Sequence, residues 1–246
     1  NTFRYLLGNI NDSFETVDLK NIETQKLPEL EQFMLHKLYL LNKNFINYFK
    51  NYDFHNLYKE LLNFCTVDLS AFYFDIRKDC LYCDPKNSKK REAVVITLNI
   101  ILECLLKWFA PILSFTTEEI FRLINKNKKS IHLEKFLNIP EKLRNDDLNL
   151  KWSELIKIRD ACNLSIEQKR TEKIIGSSLE ASIRIKLDKK YLDLVENINL
   201  SELCITSSAI VEHNEKSKIE VETIKAEGNK CPVCWKISLK PCERHG

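Results

Sequence analysis

Residues 88–109 read SKKREAVVITLNIILECLLKWF, and this stretch decides the fold class. Ser88 can cap a helix, and the apolar residues after it cover nearly every side of that helix. Such a helix is stable only when other elements bury it, so we predict a central helix over Ser88–Phe109. Pro111 marks its end or a sharp kink.

The residues before this helix predict three more helices that could pack around it. Phe3, Leu6, Leu7 and Ile10 recur at helical spacing. A second helix is expected to start near Pro28, and Asp53 can cap a third. The predicted apolar stripes of these two helices are Leu30, Met34, Leu38, Leu41, Phe45 and Phe49, and then Leu57, Leu61, Phe64, Leu69, Phe72 and Ile76.

The segments between and after these helices are predicted as loops and one short helix. Asp79–Lys90 breaks the periodicity and contains Asp84-Pro85, which predicts a loop. Thr116 and Glu119 form a potential capping box that would open a helix to Ile124. Residues 125–130 and 138–151 are expected to be surface connections. Together, residues 1–150 predict an antiparallel helix bundle.

Residues 151–225 predict a last helix and a small α+β subdomain. The helical period returns from Trp152 to about Lys173, and Gly176-Ser177-Ser178 ends it. Apolar residues then alternate with polar ones over 181–187, which is typical of a half-buried strand. A short helix is expected over Lys190–Asn197, followed by strands over Cys204–Val211 and Lys218–Ile224. The predicted fold class is therefore mainly α, with this subdomain after the bundle.

Composition sets limits on the class of protein. Apolar residues make up 44% of the 246, enough for a hydrophobic core, and only four glycines are present, which favours long helices over a turn-rich all-β fold. No apolar run is long enough for a membrane span, and the start lacks both a signal peptide and a Met, so we expect a fragment of a longer protein. A net charge of +3 is compatible with nucleic-acid binding but does not demonstrate it.

The last 21 residues, 226–246, contain a metal-ligand pattern, C-x2-C-x7-C-x2-H, formed by Cys231, Cys234, Cys242 and His245. Two closely spaced ligand pairs can enclose a tetrahedral ion, and soft thiolates with one imidazole favour zinc. A segment this short cannot bury its own core, so a structural zinc would supply its stability. The alternative is that these cysteines and the histidine are unrelated to each other.

The fourth ligand has an alternative. His245 is next to the last residue, so a residue beyond the end could be the fourth ligand instead.

The other cysteines have a simpler interpretation. Cys80 and Cys83 form another C-x2-C pair without a second pair nearby, and we interpret them as thiols with no redox or metal-binding role. The odd total of nine cysteines indicates buried free thiols for most of the others.

Three blocks of sequence resemble the isoleucyl-tRNA synthetase family. They are NTFRYLLGN at 1–9; YDFHNLYKELLNFC at 52–65 with DLSAFYFDIRKD at 68–79; and EKIIGSSLEA at 172–181 with the residues leading into Cys231 and Cys234-Trp235. The resemblance covers most of the chain and is thin at 135–151 and 188–220. Relative to the family, the last spacer is short, His245 stands where a Cys is expected, and Cys80 stands where Arg is usual.

The resemblance implies recognition of the anticodon stem-loop of isoleucine tRNA by the bundle and the zinc-bearing end. Lys and Arg would contact phosphates, and aromatic side chains would stack on unstacked bases. We expect a monomer in the cytoplasm that binds neither DNA nor a membrane. The candidate RNA-binding residues are Arg4, Arg77, Lys78, Lys169, Arg170, Lys173, Trp235, Lys236 and Arg244.

The chain is not expected to carry catalysis itself. The family's adenylation motifs, of the HIGH and KMSKS types, do not occur here, so the resemblance implies that ATP and isoleucine bind only a missing catalytic domain. Two other hypotheses remain open. One is a zinc-stabilised helical scaffold for protein contacts, and the other is the equivalent bundle of a valyl or leucyl enzyme, against which the block at 68–79 argues.

Overall fold

The chain is mostly helical, with a small sheet in its second half, as predicted. The computed structural model describes residues 1–10, 14–125, 129–215 and 218–245. Contacts divide the chain into two units, Asn1–Asp146 and Asp147–Gly246. The proposed three-part division at residues 150 and 225 stays a prediction. Within the described residues, none of the helices combines the length and apolarity needed to cross a membrane.

The first unit contains the longest apolar helix and the elements around it. Its helices are α1 (Thr2–Ile10), α2 (Glu29–Lys50), α3 (Phe54–Asn63), a π-helical segment (Phe64–Phe74), α4 (Asp75–Cys83), α5 (Lys89–Phe109) and α6 (Ser114–Ile124). Short 3-10 turns lie at Thr24–Lys26, Ile131–Leu133 and Glu141–Leu143.

Helix α5 lies at the centre of this unit, as its sequence predicts. It contacts α1, α2, α4 and α6. The Ser88 side chain accepts a hydrogen bond from the Arg91 N–H and caps its start. Near its end, Trp108 is fully buried and donates its indole N–H to Asn42 Oδ1 at 3.0 Å. The bulky apolar side chains of α5 thus form the core on which the other helices pack.

The backbone is helical without a break from α3 through α4. Asp53 caps α3 by accepting from the Asn56 N–H, as predicted. The predicted apolar stripe is buried throughout, and the step of five residues from Phe64 to Leu69 matches the wider turns of a π-helix. The predicted loop over 79–90 is wrong for its first part, because α4 continues to Cys83.

Two further boundaries differ from the prediction. Helix α6 begins at Ser114, before the predicted capping box, so Thr116 does not cap it. The Thr117 hydroxyl donates to Leu113 O, four residues earlier. Part of the predicted connection 138–151 is helical, because α7 starts at Asp146. Within the predicted connection 125–130, residues 126–128 lie outside the described residues.

The second unit combines one long helix with a small sheet. Its elements are α7 (Asp146–Thr171), a 3-10 turn at Ser178–Glu180, β1 (Ala181–Leu187), α8 (Lys189–Val195), α9 (Leu200–Leu203), β2 (Ser208–His213), β3 (Glu220–Lys225), β4 (Asn229–Lys230) and β5 (Ile237–Ser238).

Strand β1 is the middle strand of the sheet. It pairs in parallel with β2 and antiparallel with β3, and its side chains alternate between buried and half-buried as predicted. Helix α7 packs on this sheet, where Ser165 Oγ lies 2.7 Å from Thr223 Oγ1 of β3. The predicted strand over Cys204–Val211 begins only at Ser208, because its first residues end helix α9.

Candidate functional site

Four potential metal ligands converge near the end of the second unit. The ligand atoms of Cys231, Cys234, Cys242 and His245 all lie within 4.8 Å of one another. Cys231 Sγ is 3.5 Å and Cys242 Sγ is 3.3 Å from His245 Nδ1, and Cys234 Sγ is 3.8 Å from Cys242 Sγ. Among the described residues, no other group of His, Cys, Asp and Glu side chains comes together in this way.

These distances fit a tetrahedral metal site. With metal–sulfur bonds near 2.3 Å and metal–nitrogen bonds near 2.0 Å, the edges of a tetrahedron are about 3.8 Å between sulfurs and about 3.5 Å between sulfur and nitrogen. The Cys234–Cys242 and Cys231–His245 distances match these two edges. The donor set, three soft sulfurs and one imidazole nitrogen, suits a soft or borderline cation rather than Mg²⁺ or Ca²⁺.

A short hairpin places the first two ligands. Strands β4 and β5 pair antiparallel, and the Cys231 N–H donates to Lys236 O at 2.9 Å. The turn requires a left-handed backbone at Trp235, with φ of 63°. Gly228 precedes the hairpin with φ of +117°, and a Cβ there would lie 2.2 Å from Ser238 O. A side chain at 228 is therefore excluded by both conformation and space.

Backbone N–H groups in this hairpin favour thiolates. The Cys234 N–H is the main cause that lowers the pKa of Cys231 to about 6. The Arg244 N–H likewise lowers the pKa of Cys242, whereas burial raises the pKa of Cys234. Two of the three sulfurs are thus favoured in the deprotonated form that binds a metal.

The Cys/His cluster is attached to the sheet by one serine. Ser207 lies directly before β2, and its hydroxyl accepts a hydrogen bond from the Ile237 N–H at 2.7 Å. The same hydroxyl donates to Leu179 O. The hairpin that carries Cys231 and Cys234 is therefore fixed to the sheet and does not form a free tail.

The other cysteines lack this environment. Cys80 and Cys83 lie on helix α4 rather than in the predicted loop, and Cys80 is buried. Burial raises the pKa of Cys65 to about 11 and that of Cys80 to about 12. These thiols stay protonated near neutral pH, which agrees with their interpretation as thiols without chemistry.

Two of the three candidate RNA-binding residues in the first unit are exposed. Arg4 lies on α1, and Lys78 lies on α4 in an ion pair with Asp75. The third, Arg77, is only 4% exposed and forms a bidentate ion pair with buried Glu31. The expectation that Arg77 contacts RNA is corrected to a structural role, because its guanidinium faces the core.

The candidates at the end of α7 remain accessible at the surface. Lys169 pairs with Glu172 at 2.7 Å and Arg170 pairs with Glu167 at 2.6 Å, and such pairs exchange readily because they are worth little in water. Lys173 is exposed, has a left-handed backbone with φ of 58°, and has no ion pair among the described residues.

Three candidate RNA-binding residues, Trp235, Lys236 and Arg244, lie close to the Cys/His ligands in the sequence. Trp235 is 58% exposed, and Lys230 Nζ lies 5.3 Å from the centre of its ring. Lys236 is half-buried and Arg244 is exposed. The half-exposed indole beside these cations provides a surface on which a base could stack.

Sequence patterns missed a group of exposed aromatic side chains at the turn between α2 and α3. Tyr52 is 80% exposed, and Phe54 and Tyr58 are each 45% exposed. No sequence signal pointed to them, because Asn51, a residue type that commonly ends helices, stands directly before Tyr52, and the structure places the left-handed residue one position later.

Comparison with known proteins agrees with the resemblance. A family model described as the anticodon-binding domain of tRNA ligase matches residues 31–185. Isoleucine–tRNA ligase of Pelagibacter ubique is 65% identical over 245 residues, which are 100% of this chain and 27% of that protein. Isoleucine–tRNA ligase of Agrobacterium fabrum is 38% identical over 97% of this chain and 25% of its own length, and that of Staphylococcus carnosus is 35% identical over 98% and 27%.

These matches run along the whole chain, and the chain spans about a quarter of the length of these curated relatives. The resemblance to isoleucyl-tRNA synthetases is confirmed, and the chain belongs to the family of anticodon-binding domains of tRNA ligases.

Proposed function

We propose that this chain is the tRNA-recognition part of an isoleucine–tRNA ligase and that it binds the anticodon stem-loop. The observation that carries this proposal is the family match over residues 31–185, together with full-length similarity to isoleucine–tRNA ligases. The same similarity favours the isoleucyl enzyme over the valyl or leucyl alternative. Attachment of isoleucine with ATP would take place in the remainder of the ligase.

In this proposal, the helices of the first unit form an antiparallel bundle that lies along the RNA. Exposed cations would hold its phosphates, and Arg4, Lys78, Lys169, Arg170 and Lys173 are the candidates. Arg4 and Lys173 are the strongest of these, because both are exposed and neither has an ion pair among the described residues.

The Cys/His cluster is proposed to be a structural zinc knuckle. Cys231, Cys234, Cys242 and His245 would complete a four-coordinate site, which supplies stability and leaves no open position for chemistry. The ion with three thiolates has a net charge of about −1. This charge would be offset by Lys230, Lys236 and Arg244. Trp235 would contact the RNA. As part of a translation enzyme, the protein is proposed to act in the cytoplasm as a monomer.

Direct binding measurements test this function. The 246-residue chain should bind an isoleucine tRNA transcript more tightly than a valine tRNA transcript, and its affinity should fall steeply with salt. Lys173→Ala should reduce the slope of log affinity against log salt by about 0.7–0.9, the value for one phosphate contact. Lys189→Ala, which removes an exposed cation at the start of α8, is the matched control and should leave the slope unchanged.

The competing scaffold hypothesis predicts a different result. A zinc-stabilised scaffold for protein contacts would bind tRNA no better than heparin of comparable charge. Equal affinity for isoleucine tRNA, valine tRNA and heparin would therefore overturn the proposed function.

A further inference from the structure

Helix α2 ends at a residue with a large aromatic side chain. Asp53 N–H donates to Tyr48 O at 2.9 Å and Tyr52 N–H donates to Phe49 O at 3.3 Å, which is the Schellman arrangement. Its terminating residue, Tyr52, adopts the left-handed conformation with φ of 57°. Gly or Asn is usual at this position, because a Cβ is disfavoured there.

Burial does not offset the strain at Tyr52. Ile205 ends α9 and Lys173 ends α7 in the same arrangement; the Ile205 side chain is half-buried, whereas Lys173 is exposed and is itself a candidate RNA contact. Tyr52 is 80% exposed, so its ring contributes little to the core. A strained residue with an exposed ring points to a role outside folding.

The ring of Tyr52 belongs to a group of aromatic side chains that we call the aromatic corner, made of Tyr52, Phe54 and Tyr58. Tyr52 and Phe54 contact edge to face, with centroids 6.2 Å apart. Tyr58 lies one turn further along α3, on the same face as Phe54. All three side chains keep a large exposed fraction, so part of each ring is accessible to a ligand.

The aromatic corner is supported from below by further rings. Phe54 contacts Phe49 at 5.9 Å, and Phe49 contacts Phe45 at 5.9 Å. Phe45 then contacts fully buried Trp108 at 6.0 Å. This continuous series of rings connects the exposed corner to the core of the first unit, so the corner is held rigidly. A rigid platform loses little conformational entropy when a ligand stacks on it.

Charges of both signs lie near the corner. Lys50 and Lys59 are exposed and have no ion pair among the described residues. The neighbouring acids Asp53 and Glu60 accept hydrogen bonds from neutral groups of Asn56 and Asn44 and keep their negative charges. Because the two lysines have no ion pair among the described residues, they can still contact RNA phosphates beside the exposed rings, a combination that single-stranded RNA binds.

We propose that the aromatic corner stacks on an unstacked base of the bound tRNA, with Tyr52 as its outermost ring. The inference rests on the proposed function. An RNA base is favoured over an apolar protein surface because the matching family model describes an anticodon-binding domain, and because the flanking cations would be left unpaired against an apolar partner.

The test uses a variant whose effects on stability and binding have opposite signs. Tyr52→Gly removes the ring and relieves the left-handed strain, so it should raise the midpoint of thermal unfolding. It should also weaken binding of an isoleucine tRNA transcript about 5- to 150-fold, the range for loss of one base–aromatic stack. Tyr52→Trp should keep the wild-type affinity, and Phe115→Ala, which removes a ring that is 92% exposed on α6, is the matched control and should also keep it.

A blunt RNA duplex without a loop separates stacking from general attraction. It offers no unstacked base, so wild type and Tyr52→Gly should bind it equally. Equal affinity of both proteins for tRNA would overturn the inference and leave the corner as a contact for another part of the ligase. Lower thermal stability of Tyr52→Gly would assign Tyr52 a folding role and also overturn it. Failure of wild type to bind tRNA would instead remove the proposed function itself.

Discussion

Glu31 and Arg77 form a bidentate ion pair inside the first unit, with Nε–Oε1 and Nη2–Oε2 distances of 2.7 Å each. The Tyr73 hydroxyl also donates to Glu31 Oε1 at 3.1 Å. All three side chains are buried. Replacement of one charged partner leaves the other charge buried without compensation, and that costs more than the intact pair contributes.

The first prediction concerns this pair. Arg77→Met should lower the free energy of unfolding by about 3–5 kcal/mol, as measured by urea denaturation. The double variant Glu31→Met with Arg77→Met should recover most of that loss, since no unpaired charge remains. Lys78→Ala, on the adjacent exposed position, is the control and should change stability by less than about 1 kcal/mol. A stable Arg77→Met protein with weakened tRNA binding would contradict the structural role.

The second prediction concerns the buried imidazole of His36. Its Nδ1 accepts a hydrogen bond from the Asn145 N–H at 2.9 Å, so Nδ1 carries no proton and the imidazole is neutral. Burial is the main cause that lowers the pKa of His36 below its ordinary value of 6.5, with Arg144 and Lys37 acting in the same direction and Asp146 opposing them.

The sign of the pH effect is set by that shift. Between the folded pKa and 6.5, the unfolded chain binds more protons, so the stability contributed by neutral His36 is complete above pH 6.5. It is lost as pH falls through the folded pKa, with a slope of at most about 1.4 kcal/mol per pH unit. His36→Asn, which keeps an acceptor near the Nδ1 position, should flatten this dependence below pH 6.5 in denaturation series. An unchanged slope would exclude His36 as its source.

The third prediction concerns metal content. The purified chain should contain one zinc per molecule by elemental analysis, and Cys234→Ser should contain none. Cys83→Ser, at a C-x2-C position outside the group of four ligands, should keep its zinc. Zinc in Cys234→Ser at the wild-type level would exclude the proposed ligand set.

The fourth prediction concerns the effect of metal removal on the fold. A chelator should unfold the segment from about residue 225 onward, while the helicity of the first unit stays largely intact. The reason is that a segment this short has no core of its own once the ion is lost. Hydrogen exchange resolved by segment measures this directly. Loss of protection in α5 together with the end of the chain would contradict a separable knuckle.

The fifth prediction concerns Gly228. Gly228→Ala should distort the β4–β5 hairpin and lower zinc affinity, because its φ of +117° disfavours a side chain and its Cβ would collide with Ser238 O. A competition titration with a chromogenic chelator measures this affinity. Gly8→Ala is the matched control: nothing lies within 4 Å of its Cβ, and the change should stabilise helix α1 by about 0.5–1 kcal/mol without altering zinc affinity.

Sequence patterns within single helices and strands predicted the parts of this fold that depend only on residues close together in the chain. The cap at Asp53, the apolar helix α5 and the alternation along β1 all follow from periods or spacings within one element. The convergence of the Cys/His cluster belongs with these features. Its two ligand pairs are close in sequence, and the hairpin between them needs only short-range hydrogen bonds.

Features that depend on tertiary contacts were not predictable from such rules. Arg77 was expected at the surface because its partner, Glu31, lies 46 residues away on another helix. The continuation of α4 through Cys80 and Leu81 was missed because its polar residues obscured two buried positions. The role of Tyr52 was hidden for a different reason: only the backbone reveals that a tyrosine occupies a left-handed position.

The eleven π-helical residues from Phe64 to Phe74 also control the angular phase of helix α4. Each residue adds a rotation of about 100° in an α-helix and somewhat less in the wider π-helix, so deletion of one residue from this stretch would swing α4 by about a quarter turn about its axis. Arg77 would then leave Glu31 and point in another direction. The number of residues in this stretch, more than the identity of one side chain, therefore determines which surface of α4 faces α2. Relatives that retain the Glu31–Arg77 pair should tolerate substitutions at the exposed positions of Phe64–Phe74 but neither insertions nor deletions within it.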